Sequence, residues 1–100
     1  MTTLRMRASS GNVFRDLGFD LEEAQNLKIR SGLMIQLRQF IDERALTQNQ
    51  AAKLFSVTQP RISDLVRGKI NLFSVDTLMA MLTRTGAQVS IVVRRKARVA

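Results

Sequence analysis

Leu27, Leu33, Met34, Leu37, Phe40 and Ile41 recur at helical spacing, so one face of this stretch is apolar. Asp20 and Glu23 stand ahead of the run as D-x-x-E, the arrangement of a capping box. A helix is expected from about Leu21 to near Arg44. Ser31-Gly32 interrupts the pattern, and Gly in mid-helix costs about 1 kcal/mol relative to Ala. The expectation is a single bent helix, with two helices as the alternative. Thr47 and Gln50 form a second box, T-x-x-Q, which starts a helix over Gln48–Phe55. Its inner face is expected to be Ala51, Ala52, Leu54 and Phe55. Ser56-Val57 reads as a short turn. Thr58 then caps a third helix with Pro60 in its first turn, where a missing N–H removes no bond. Ile62, Leu65 and Val66 give that helix an apolar side, and Gly68 suits a left-handed C-terminal position. Ser74 caps a fourth helix, with Phe73 and Leu78 as a hydrophobic staple across the cap. Leu78, Met79, Met81 and Leu82 are its apolar residues, and Gly86 ends it.

Beyond Gly86 the period changes. Gln88 to Arg94 alternates in twos and is rich in β-branched residues, which predicts a strand. No second convincing strand is apparent, and a lone strand leaves unpaired N–H and C=O groups that invite pairing. An antiparallel pairing with its own copy solves this, because a two-fold interface needs only one such strand per chain. Met79, Leu82, Val89, Ile91 and Val93 are therefore expected at a homodimer interface. Residues 1–12 end in the breaker cluster Ser9-Ser10-Gly11-Asn12 and read as a flexible arm. Val13, Phe14, Leu17 and Phe19 form an apolar knot too short for its own core. Residues 13–93 are the expected domain, and residues 94–100 a basic tail.

The chain has 100 residues, 45% of them hydrophobic, as expected of one small globular domain. It contains no Cys, His, Trp or Tyr. Zinc sites, thiol nucleophiles and imidazole acid–base chemistry thus lack their ligand or base. The acidic pairs Glu22-Glu23 and Asp42-Glu43 adjoin arginines and read as surface helix charges. The expectation is a protein that is not an enzyme and needs no metal or cofactor. No run of apolar residues approaches a membrane span, and no apolar segment follows Arg5 and Arg7 as a signal peptide requires. A cytoplasmic location is expected. The net charge is +8. Residues 61–100 hold eight of the cations against Asp64 and Asp76 alone. Such asymmetry points to a polyanionic partner, with nucleic acid first.

Two short helices joined by a tight turn, Thr47 to Arg67, match the helix-turn-helix template. Ala52 is small where the second helix must cross the first, and Ile62 is the aliphatic residue that meets it. The second helix keeps a polar outer face of Gln59, Arg61, Ser63, Asp64 and Arg67. Gln pairs with adenine and Arg with guanine in the major groove, and Pro60 suits a thymine methyl.

At Leu46-Thr47-Gln48-Asn49-Gln50-Ala51-Ala52, Val57-Thr58-Gln59-Pro60-Arg61-Ile62-Ser63 and Arg67-Gly68-Lys69, the sequence resembles the Cro/CI (XRE) helix-turn-helix family. Gly11 to Gly18, Phe73-Ser74 and Gly86-Ala87-Gln88-Val89 extend that to a resemblance to HigA-like antitoxins of type II toxin–antitoxin modules. The likeness spans roughly residues 11–93. Ser56 stands where the motif usually has Gly. The resemblance implies a mainly α, lambda-repressor-like bundle of four to five helices with one C-terminal strand paired across a dimer. It implies that Gln48 meets a phosphate, that Thr58, Gln59, Pro60, Arg61 and Ser63 face the groove, and that Arg67 and Lys69 meet the backbone of a double-stranded operator. It also implies a repressor that autoregulates its operon and neutralises a RelE/HigB-like ribonuclease toxin. Val13, Phe14, Leu17 and Phe19 then either pack on the long helix or contact the toxin. The alternative is a stand-alone XRE-family regulator, phage-derived or otherwise, with no toxin partner.

Overall fold

Three left-handed residues set the corners of the helical unit: Ala45, Ser56 and Gly68 have φ of 49°, 55° and 73°. The computed structural model describes the backbone of residues 3–8, together with Phe14 and residues 17–95. In chain order the elements are β1 (Thr3–Ala8), α1 (Leu21–Glu43), α2 (Gln48–Phe55), α3 (Gln59–Val66), a 3-10 turn (Ile70–Leu72), α4 (Val75–Thr83) and β2 (Gln88–Val93). The long run is one helix, and Gly32 lies within it.

The helix starts follow from local hydrogen bonds. Asp20 accepts from the Glu23 N–H at 2.8 Å. Thr47 Oγ1 accepts from the Gln50 N–H at 3.1 Å, and Gln50 Oε1 accepts from the Thr47 N–H at 2.9 Å, closing the capping box. Ser74 accepts from the Thr77 N–H at 3.1 Å. Thr58 sits at the N-cap of α3 as expected, but its side chain makes no capping bond.

The helix ends carry the corners. Leu46 N–H donates to the Ile41 carbonyl at 3.0 Å and Ala45 N–H to Asp42 at 3.1 Å, the paired bonds of a Schellman ending. Lys69 and Gly68 repeat the pattern on Asp64 and Leu65 at the end of α3. Gly adopts such an angle freely, whereas Ala45 holds it at a cost of about 1–2 kcal/mol. Ala45→Gly removes that cost and adds about 0.5–1 kcal/mol of chain entropy to be lost on folding. The expected result is a stabilisation of about 0.5–1 kcal/mol, read as a higher urea midpoint at unchanged slope. Ser56→Gly should shift the midpoint in the same direction. A midpoint that stays put in both variants would contradict this account of the corners.

The core gathers Leu33, Met34, Leu37 and Ile41 of α1, Ala51, Ala52 and Phe55 of α2, Ile62 and Leu65 of α3, Phe73, and Leu78, Met81 and Leu82 of α4. The α1 helix packs on α4, the 3-10 turn and α3, while α2 packs on α3. Leu54, expected inward, is 37% exposed, as is Val66. Each lies at the margin of its short helix's buried face, which Ala51, Ala52 and Phe55, or Ile62 and Leu65, already fill.

The C-terminal strand forms where the alternation predicts it, but it has a partner within the chain. The stretch read as a flexible arm contains β1, which pairs parallel with β2 from Thr3↔Gln88 to Ala8↔Val93. The premise that β2 needs a second copy to satisfy one edge is thereby corrected. Thr3-Leu4-Arg5-Met6-Arg7-Ala8 does alternate, but only Thr3 is β-branched, so the signal is weak. Leu82, expected at a dimer interface, is 1% exposed and belongs to the core of its own chain. Met79 and Val89 are half-buried against that core. Ile91 and Val93 are exposed, Val93 at 73%.

Candidate nucleic-acid interface

Gln48 and Gln59 occupy the first helical positions of α2 and α3. Thr47 and Thr58 cap them in extended conformation, and the Ser56-Val57 turn brings the two helix starts together. Gln59 Nε2 donates to Gln48 Oε1 across that junction. The pair is exposed. It fixes which end of the Gln59 amide faces Gln48 and leaves the Gln59 oxygen, and one proton on its nitrogen, for another partner. The first turns of α2 and α3 hold no acidic side chain, whereas α1 begins with Glu22 and Glu23 and α4 with Asp76. The positive ends of the two motif helices are thus uncompensated by carboxylates of their own.

Thr58, Gln59 and Pro60 are exposed at the start of α3, and Ser63 is half-buried one turn on. Arg67 is exposed at the C-cap of α3. Lys69 is exposed and pairs with Asp64 at 3.5 Å. Such surface pairs contribute about 0–1 kcal/mol, so the ammonium exchanges readily with another anion.

Arg61 behaves differently. Its guanidinium turns back along the molecule, donating to the Leu72 carbonyl at 2.8 Å. It also lies over the Phe73 ring at 4.5 Å from the centroid. In this structure it is engaged with the 3-10 turn and its neighbour and does not stand out from the helix. Arg30 grips the same turn from α1, donating to the Ile70 carbonyl at 3.0 Å and the Phe73 carbonyl at 3.3 Å. The sequence gives no sign of this role for Arg30, because the partners lie 40 and 43 residues away. The glutamine pair was equally hidden, although both residues follow directly on a cap.

Of the apolar knot, Phe14 is half-buried and meets Phe19 edge to face at 6.3 Å. Phe19 lies near the surface and Leu17 is 70% exposed. Val13 and the tail beyond Arg95 lie outside the described residues. Among the described residues no group of three or more Asp or Glu converges as a metal site would need. No helix there is long and apolar enough to cross a membrane.

Residues 13–94 match a family described as a helix-turn-helix domain. A solved structure described as that of an XRE family transcriptional regulator is similar at 34% identity and a TM-score of 0.69. The similarity covers 78% of this chain and 90% of that one. No curated protein matches. With the paired glutamines at the joined starts of α2 and α3, and a match over most of both chains, this protein belongs to the XRE-type helix-turn-helix family of transcriptional regulators.

Proposed function

We propose that the chain is a sequence-specific repressor of transcription that lays α3 in the major groove of a double-stranded operator. The observation that carries this reading is the Gln48–Gln59 pair on the exposed corner where two helix starts meet. A phosphate at the start of α2 would accept from exposed backbone N–H groups and from Gln48. That contact would hold Gln59 over a base edge, where an amide suits adenine. Thr58, Pro60 and Ser63 would line the same groove, with Arg67 and Lys69 on the flanking phosphates. A two-fold dimer through the exposed side of β2, at Ile91 and Val93, would set two copies of α3 about 34 Å apart on successive groove faces. The resemblance to antitoxins adds a second role, neutralisation of a RelE/HigB-like toxin, for which Leu17 and Phe19 offer an exposed apolar contact. A stand-alone regulator uses the same DNA surface. Co-purification with the product of the adjacent gene separates the two.

The DNA reading predicts a salt-dependent affinity. Each phosphate neutralised releases counterions, so log affinity falls against log salt by about 0.9 per contact. Lys69→Ala is expected to weaken selected and unrelated duplexes alike and to reduce the slope by about one. Fluorescence anisotropy from low to moderate salt measures this. A slope near zero in the unaltered chain would remove the DNA assignment.

A further inference from the structure

We infer that Arg61 is a positioning residue that sets the roll of the recognition helix through Phe73, and that it does not read a base. The inference rests on α3 being the DNA-reading helix. It concerns which residues of α3 determine specificity.

The α3 helix has eight residues and buries only Ile62 and Leu65. These two lie three apart, in a line along one side of the cylinder. Two anchors in line fix the helix against sliding and leave roll about that line weakly held. At a side-chain radius of about 6 Å, a roll of about 20° carries a side-chain tip through about 2 Å. That displacement exceeds the whole tolerance of a hydrogen bond. Gln59, at the start of the helix, would lose its contact with a base edge.

Arg61 supplies a third anchor off that line. Its guanidinium stacks on the Phe73 ring and donates to the Leu72 carbonyl, which constrains both the direction and the distance of the side chain. The anchor point is itself fixed. Phe73 is in the core at 2% exposure, and Arg30 of α1 holds the Ile70 and Phe73 carbonyls. A planar, always-charged guanidinium can stack and donate at once, which a lysine ammonium cannot do in the same geometry. A base-reading arginine would have to give up both contacts on binding, and the Leu72 carbonyl would lose that donor.

The test uses the full chain and duplexes selected from a randomised pool. The unaltered chain defines the preferred sequence. Selection is then repeated with Arg61→Ala, Arg61→Lys and Phe73→Leu, each checked for folding by its thermal transition, and with Gln59→Ala as the reference reader. Arg61→Ala is expected to weaken the preferred duplex about tenfold, to leave an unrelated duplex and the salt slope unchanged, and to blur preference at every position α3 reads. Phe73→Leu should reproduce that pattern, although Phe73 is buried and cannot touch DNA. The double variant should lose little more than either single one. Arg61→Lys should behave like Arg61→Ala. Preference relaxed at one base only, with Phe73→Leu silent, would overturn the assignment in favour of direct reading. A salt slope reduced by about one would overturn it in favour of a phosphate contact. A lowered thermal transition with preference intact would leave Arg61 a stability residue alone and would also overturn it. Absence of any selected sequence from the unaltered chain would remove the DNA reading itself, an outcome visible before any variant is made.

Discussion

Ile62→Ala is expected to destabilise the folded chain by about 2–5 kcal/mol, the range for truncating a fully buried aliphatic residue. Ile62 is 0% exposed and joins α3 to the core that Ala51, Ala52 and Phe55 of α2 complete. The small alanines bring the two helices close, so few atoms stand ready to fill the space left by the removed methyl and methylene groups. A chain of this size has a total stability of about 5–15 kcal/mol, so one substitution removes a large share of it. The thermal midpoint should fall by about 10 °C or more. Leu54→Ala is the informative control. Leu54 is partly exposed on the adjacent helix, and its truncation should cost markedly less. Equal losses from the two would show that the α2–α3 contact is not organised around Ile62.

Gln59→Ala should cost about 1–3 kcal/mol on the preferred duplex and relax preference at one base position. Gln48→Ala should reproduce part of that loss, because Gln59 then has no partner on α2 to hold its amide. The two residues form one unit, so their effects should not add. A double-mutant cycle measures the coupling, which for groups in direct contact is about 0.5–3 kcal/mol. Strict additivity would mean that the pair seen between the helix starts does not persist on DNA. The cycle is also a check on orientation. Gln48 accepts the Gln59 proton, and Gln48→Glu keeps an acceptor while adding a charge next to the phosphates. That variant should hold Gln59 in place yet bind all duplexes more weakly.

How much of this was legible from the sequence depended on distance along the chain. Asp20, Thr47 and Ser74 announce helix starts because the bonds they make reach only three residues forward. Ser56 could be placed at the turn, and its left-handed angle follows from the two helices it must separate. The face of α3 was legible only in part: Gln59 and Arg67 are exposed as the helical period suggests, whereas Arg61, Ser63 and Asp64 are half-buried and Val66 is exposed. The pairing of Gln48 with Gln59 and of Arg61 with Phe73 was not, since each depends on how two elements lie in space. β1 was missed for the same reason in a stronger form. Its sequence alternates only weakly, and its partner stands 85 residues away, from Thr3 to Gln88. The expected site residues Gln59 and Arg61 stand two apart, so they point to different sides of the helix, and the structure leaves Gln59 exposed while Arg61, half-buried, turns to the Leu72 carbonyl.

That 85-residue separation also orders events in time. Closing a loop lowers chain entropy by an amount that grows with its length, before any strand bond is made. The helices α1 to α4 pair over shorter separations than the two strands do, 40 and 43 residues for the Arg30 contacts, and so close smaller loops. During synthesis β1 emerges first and β2 last, so the first strand waits with its edge unpaired while the whole helical unit forms behind it. The expected order is therefore that α3 packs with the other helices before the ribbon closes over its longer loop.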